Sequence, residues 1–451
     1  MRSPAGCEAR LQTPPVLQAG QVIMLPMGSS RGFKLGLLAG QVLTAGLAQG
    51  VSLAVAAIRI PLLFRSYGPE LVGGVAIAAA LVPIGLVPAA GVRAARRLEA
   101  TRADENTHLH DGPTPGLVCV LASLSLLATC LIPFSNVFGR STPRPEAALA
   151  LAVVAIGCLA GLAGAGSWGR LEAAGRFQEL NICVAVMSAI SLALTLCCLN
   201  VPNPLLVHTS ISVLASCVPF LLAIVLEHRL LGVPKRHILA LRCDGDRLAV
   251  AETWRAVPPL AVRVTDPLFV SALVSVSAAG EYAVMLRFAL LATAPVVASG
   301  PFWAALINRR DTSSFLARKR MWQALLSNVV FSVSVAVAFA FMAPGIIRSL
   351  IGLEPSDALV RWLAFSMPIQ AASGTITSVV LGQRASRSLA KVEVFSMAIN
   401  LVLSFALTLR LGVSGPVVAT CLSLTVLLCL QGFTIRRNEF GLLGRPPRSV
   451  S

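Results

Sequence analysis

Residues 258–284 read PPLAVRVTDPLFVSALVSVSAAGEYAV. The body of this stretch is apolar enough to enter a bilayer, yet it holds Arg263 and Asp266, with Pro267 directly after the acid. A charged side chain at mid-membrane costs about 2.5–3.5 kcal/mol on insertion scales, so it persists where it faces protein or water. Arg263 and Asp266 are three residues apart, hence on one helical face and able to neutralise each other in part. One reading makes Asp266 a group on a substrate or ion path. The plainer one makes the two a structural ion pair near a helix end, with Arg263 reaching to the interface. On either reading the stretch is a membrane helix, and it sets the class.

Of the 451 residues, 56% are hydrophobic and only 13% charged, and long apolar runs recur throughout. A run of about 20 residues crosses a hydrocarbon core of about 30 Å. The runs are continuous rather than alternating, which excludes a β-barrel. The chain is therefore expected to be an all-α polytopic membrane protein with about twelve transmembrane helices in two six-helix bundles. The expected spans are 36–64, 70–92, 116–134, 146–168, 182–200, 205–227, 258–277, 281–307, 322–343, 361–383, 392–410 and 415–433. They divide the chain into an N-terminal tail (1–34), a first bundle (35–227), a linker (228–257), a second bundle (258–433) and a C-terminal tail (434–451). The linker is too short for a nucleotide-binding domain and reads as a solvated hinge.

The formal net charge is +17. Sorting Lys and Arg by side puts 28 of the 37 on the tails and even-numbered connections, and seven on the other side, counting residues at span ends. That asymmetry is the positive-inside pattern, and it predicts both termini cytoplasmic. The basic charge is thereby accounted for without nucleic acid, and two Tyr and five Trp offer no aromatic-basic interleaving for single strands.

No GxxxxGK[ST] loop is present around any lysine, so the chain is not expected to hydrolyse ATP. HExxH and paired-carboxylate clusters are likewise missing, which argues against an enzyme. Nine of the eleven cysteines lie in apolar spans, without CxxC or metal-ligand spacing, and read as small packing residues. No metal or other cofactor is expected. His208, at the outer end of a span, reads as an interfacial polar cap, with pH sensing as the alternative. Gly157xxxGly161 permits close helix contact. Prolines inside the spans, Pro61, Pro83, Pro219 and Pro368 among them, supply kinks of the kind that border cavities.

Arg59 and Arg287 also lie inside spans, each about six residues from an end. Their guanidinium forks suit a pyrophosphate or an acidic sugar. The alternative has them reaching to the outer interface or pairing with Glu70 and Glu281. A weak internal repeat relates the two halves. AAIRIPLLFRSYGPELVGGVA (56–76) aligns with RVTDPLFVSALVSVSAAGEYA (263–283), setting Gly73 against Gly280 and Arg59 against Asp266, both 207 residues apart. Parallel repeats of this type place a transporter's site near the midplane between them, where Arg59 and Asp266 are expected to face a common cavity.

Four segments, RIPLLFRSYGPELVGG (59–74), LEAAGRF (171–177), TDPLFVSALVSVSAAGEYAVMLRFALL (265–291) and LRLGVSGPVVATCLSL (409–424), carry a resemblance to a known family. They resemble bacterial polysaccharide-biosynthesis proteins, the Wzx-type oligosaccharide flippases of the multidrug/oligosaccharidyl-lipid/polysaccharide exporter superfamily. The resemblance implies a MATE-like pair of bundles around a cationic cavity. It also implies transport of a polyprenyl-(pyro)phosphate-linked oligosaccharide across the cytoplasmic membrane by alternating access. Arg59 then matches the basic position before the Pro of helix one, and Asp266 the acid of helix seven. Arg59, Arg263, Asp266 and Arg287 are the substrate-path candidates. The implied partners are the lipid-linked glycan, the lipid bilayer, and a glycan polymerase with glycosyltransferases. AAGEY stands where the family has a fuller Gly-Pro-acid turn. The rival readings are a multidrug/cation antiporter using Asp266, a membrane glycan polymerase or ligase, and a non-transporting scaffold. The polymerase reading asks for a long outer loop, and the longest one expected here is about 344–360.

Overall fold

A computed structural model describes residues 31–102, 144–231, 265–307, 314–382 and 386–442. The described residues are helical apart from short turns, with no strand among them. Helices are what a bilayer permits, because every backbone donor and acceptor is satisfied within the segment. The first half contributes α1 (Arg31–Tyr67), α2 (Pro69–Gly85), α3 (Val87–Arg102), α4 (Arg144–Ala173), α5 (Phe177–Cys197) and α6 (Pro204–Leu231). The second contributes α7 (265–273), α8 (Val276–Ile307), α9 (Ser314–Ile351), α10 (Asp357–Gly382), α11 (Ser386–Leu411) and α12 (Gly415–Leu442). Eight helical stretches among these are long and apolar enough to cross a membrane by length and composition.

Ten of the twelve expected spans coincide with these helices, and of the seventh (258–277) only 265–277 is described, as α7, a turn at 274–275 and the start of α8. The expected third span (116–134), most of the 228–257 linker, most of the N-terminal tail and the last nine residues lie outside the described residues. The second span is one membrane crossing in two pieces, α2 and α3, broken at Leu86 between Pro83 and Pro88. Proline supplies no N–H and clashes with the preceding turn, so one three residues before Leu86 and one two residues after it interrupt the ladder. The outer connection expected at 344–360 is shorter: α9 runs to Ile351 and α10 starts at Asp357. Five residues remain, turned by Gly352 at φ 75°.

Each half has its own apolar core. Ile77, Leu81, Ala150, Val154, Val213 and Cys217 centre the first, and Tyr282, Met285, Ile347, Leu363, Met367 and Cys421 the second. Small residues let helices approach within each half. Gly157 lies against Val213 of α6 and Gly161 against Leu86, while Gly164 and Gly169 abut the carbonyls of Phe220 and Arg93. Buried hydrogen bonds join other pairs. Asn400 of α11 donates to Thr420 (3.2 Å) and Ser423 (3.0 Å) of α12, and Asn328 of α9 donates to Thr375 of α10 (2.9 Å).

The halves meet through α1 and α2 on one side and α8 on the other. Here the repeat takes physical form. A Cβ on Gly73 would overlap the Val276 carbonyl oxygen, and one on Gly280 would overlap the Pro69 carbonyl oxygen. Val276 and Pro69 are themselves 207 residues apart and begin α8 and α2. The contact is thus reciprocal: each glycine admits the first carbonyl of the other half's helix. These glycines were expected in the outer turns, and the structure moves them inside the helices. The first turn lies at Gly68, with φ 83°, and the second at 274–275. AAGEY accordingly belongs to α8 and not to a turn. Leu63, Val72 and Val284 are buried together beside this crossing. Past Leu86, α3 packs on α4 instead.

Candidate functional site

Arg59 lies eight residues from the end of α1, about 12 Å along the axis, and Arg287 lies eleven from the start of α8, about 16 Å. Both sit roughly one turn from the Leu63–Val72–Val284 layer. The structure brings these two together: Arg287 is close enough for its charge to act on Arg59. Arg59 is buried, at 9% exposure, and Arg287 half-buried.

Neither arginine has a carboxylate within ion-pair distance among the described residues, Glu70 and Glu281 included. Arg59 instead donates from Nη2 to the His208 carbonyl at 2.6 Å, and its Nε has no partner. A buried cation without a counter-charge is expensive, so two of them side by side make a strong local demand for an anion. The guanidinium fork meets that demand best with the planar or tetrahedral oxygens of carboxylate or phosphate.

Asp266 lies elsewhere, inside the second bundle. It is buried, at 5% exposure, and its Oδ2 accepts from the Tyr282 hydroxyl at 2.8 Å, while Oδ1 has no partner. Cys421 of α12 is its further electrostatic neighbour. Tyr282 and Arg287 are five residues apart on α8, so that helix presents one face to Asp266 and a different one to Arg59. Arg59 on α1 looks to α6, and Asp266 on α7 looks to α12: the repeat places both at matching positions, each within its own half. Arg263 lies outside the described residues, and with it the expected pair with Asp266.

Several groups around these residues escape a reading of the sequence. His208 is fully buried, not capped at an interface. Its ring meets Tyr67 edge-on with centroids 5.6 Å apart, and neither ring nitrogen makes a hydrogen bond of good geometry. Tyr67 donates to the Cys198 carbonyl at 3.3 Å, an oxygen that also acts electrostatically on His208. At the other end of the first bundle, Arg93 of α3 holds Glu172 of α4 through both nitrogens of its fork, and Trp168 adds its Nε1 at 3.2 Å. Arg170 of α4 holds Glu227 of α6 in the same way. Glu172 and Glu227 are buried at 3% and 4% exposure, so these pairs clamp α3, α4 and α6 into one unit. Glu172 belongs to the LEAAGRF segment, whose acid gives no sign in the sequence of pointing inward.

No family model matches the sequence, and no curated protein matches it. Solved structures do match in fold. The chain is similar to a lipid II flippase MurJ in an inward closed conformation, with a TM-score of 0.68 and 14% identity over 87% of each chain. It is also similar to an outward-facing multidrug resistance MATE family transporter of the MOP superfamily, with a TM-score of 0.60 and 13% identity over 93% of this chain and 100% of that one. A third match is the MATE multidrug transporter DinF-BH in complex with R6G, with a TM-score of 0.58 and 13% identity over 90% and 96%. At these identities the likeness is one of fold. The chain has the two-bundle, all-α membrane fold of the MATE and MurJ transporters.

Proposed function

We propose that the chain flips a polyprenyl-(pyro)phosphate-linked oligosaccharide across the cytoplasmic membrane, for cell-surface polysaccharide assembly, by alternating access. The observation that carries this reading is the Arg59–Arg287 pair, two cations without a carboxylate partner among the described residues, set between the halves. A lipid-linked pyrophosphate supplies the missing anion, while its prenyl tail stays in the bilayer. On this reading a cleft opens away from the Gly73–Gly280 crossing and gives such a head group access from one side. The distribution of Lys and Arg makes that side cytoplasmic, as it does both termini. Arg263 and Asp266 are assigned to the same path, Asp266 as a buried acid whose free oxygen is available to a passing group. A glycan polymerase and glycosyltransferases are the partners this function requires.

Arg59 and Arg287 are proposed to hold the pyrophosphate oxygens in the cleft while the halves rock about the α2–α8 crossing. Electrostatics alone does this work, and no bond in the substrate changes. The test is the accessibility of lipid-linked oligosaccharide in a deletion strain complemented with wild type, Arg59→Ala or Asp266→Asn. The expected result is glycan trapped in the inner leaflet of the deletion strain, restored by wild type and not by well-expressed variants. Full rescue by the variants would show these residues to be structural.

A second reading, a multidrug or cation antiporter, is favoured by the buried Asp266–Tyr282 pair, since an acid with one free oxygen suits a cation. It predicts that the deletion leaves glycan distribution unchanged and sensitises cells to cationic drugs.

A further inference from the structure

His208 has no part in the reading above, and its surroundings are unusual for a histidine in a membrane helix. It is fully buried, neither ring nitrogen makes a hydrogen bond of good geometry although the Cys198 carbonyl lies near, and its own carbonyl accepts from the Arg59 guanidinium. An imidazole buried this way leaves polar capacity unused, at a cost comparable to a lost hydrogen bond for each group. The charged and titratable groups around it are few. On α1 they are Arg59 and Tyr67, and behind Arg59 stands Arg287 of α8. At the end of α5 the neighbour is Cys198, through its carbonyl. On α4, Glu146 is occupied in capping α6, accepting from the amides of Leu205 (2.9 Å) and Leu206 (3.3 Å), and Cys158 faces Cys217 further along. On α2, which also packs on α6, the one titratable residue is Glu70, exposed at the helix start.

Positive charge therefore dominates this corner. Two unpaired guanidiniums oppose a third positive charge beside them, and an anion bound between them removes that opposition. We propose that His208 takes up a proton when an anionic group occupies Arg59 and Arg287, so that the chain binds a proton together with its substrate. The proposal rests on the anion reading of those two arginines. The proton passes from water to the lone pair of the ring nitrogen that faces away from the Cys198 carbonyl, the neutral ring's own N–H lying toward that oxygen, which also receives the Tyr67 hydroxyl. Histidine is the side chain whose ordinary titration range allows such an exchange near neutral pH. Substrate occupancy and proton occupancy then become one event, and the loaded site carries one negative charge fewer.

The full-length protein in nanodiscs, with inorganic pyrophosphate as probe, tests this. In a variant whose other four histidines (His108, His110, His228 and His237) are replaced by Gln, ring NMR reports His208 alone. The expected result is a neutral ring without pyrophosphate that becomes imidazolium on saturation with it, and stays neutral in Arg59→Gln. Calorimetry in buffers of different ionisation heat supplies the second readout. The parent should take up more protons per pyrophosphate than His208→Gln, the ligand's own protons cancelling between the two. At the limit of one proton, the parent's affinity should fall about tenfold per unit rise in pH beyond any slope shown by His208→Gln. Pyrophosphate binding that leaves the ring neutral, with equal proton uptake in both proteins, overturns the coupling and leaves the anion site standing. Absence of pyrophosphate binding to wild type overturns the anion site, and the coupling falls with it.

Discussion

Arg59 and Arg287 are separated by most of the chain, yet they share one electrostatic neighbourhood. A charge-assisted hydrogen bond contributes roughly 1.5–3 kcal/mol, which corresponds to roughly 10- to 100-fold in affinity. Arg59→Gln and Arg287→Gln are therefore each expected to weaken inorganic pyrophosphate binding at least tenfold at fixed salt, read by calorimetry. Arg59→Lys should recover only part of the loss, because an ammonium cannot both hold the His208 carbonyl and present a fork. Equal affinity in all of these proteins would place the anion elsewhere. The residues themselves were legible in the sequence, since a charge inside an apolar span stands out. Their partners were not. Asp266 finds Tyr282 on the next helix, and Arg59 finds a backbone carbonyl 149 residues away. Neither pairing follows from periodicity, which tells which face of a helix a residue shares but not what that face meets.

At the scale of the helix, the reciprocal crossing of α2 and α8 and the ion-paired clamp of α3, α4 and α6 assign opposite roles to the two ends of the first bundle. The crossing holds the halves together by shape, so one methyl group should loosen it. Gly280→Ala is expected to raise the rate at which Cys at position 72, in a cysteine-free background, reacts with an impermeant maleimide from outside. Val72 is buried beside the crossing, so an unchanged rate would mean that the contact is not the seal. The clamp acts within a half. Removing one member of a buried pair costs about 3–5 kcal/mol because the other is left uncompensated. Glu227→Ala should lower the thermal unfolding midpoint clearly, whereas Arg348→Ala, whose partner Glu354 is exposed with it at 3.1 Å, should not. Span positions were readable from hydropathy alone, to within several residues. The break at Leu86 and the extension of α9 through 344–351 were not, because hydropathy marks where apolar residues end and helices continue into the interface.

For the whole molecule, the two halves centre largely separate cores and meet along a seam where Leu268 and Val276 of the second half reach into the core of the first, and about that seam each half can move as a body. The positive-inside pattern orients that seam. A Cys replacing Glu354, in the five-residue turn between α9 and α10, is expected to react with an impermeant maleimide in intact spheroplasts. A Cys replacing Arg176, in the turn between α4 and α5, should react only after lysis. The reverse result would invert the molecule in the membrane and turn its cleft outward. The internal repeat was the most informative signal at this scale, and also the faintest. Its register of 207 residues came from two glycines and a pair of charges. What those glycines do became visible only in three dimensions, because a close backbone approach leaves no mark on hydropathy.

The reciprocity of Gly73 and Gly280 bears on ancestry. A contact in which each partner offers the other the same glycine and the same carbonyl is what two copies of one six-helix protein would make about a two-fold axis. Such a homodimer obeys a constraint: any residue it carries, it carries twice. At the register position now held by Arg59 and Asp266, identical subunits would set like charges in both halves. Two diverged copies are free of that constraint, and one half can then hold a cation where the other holds an acid. The glycines keep the symmetry such a dimer would have, and the opposite charges depart from it.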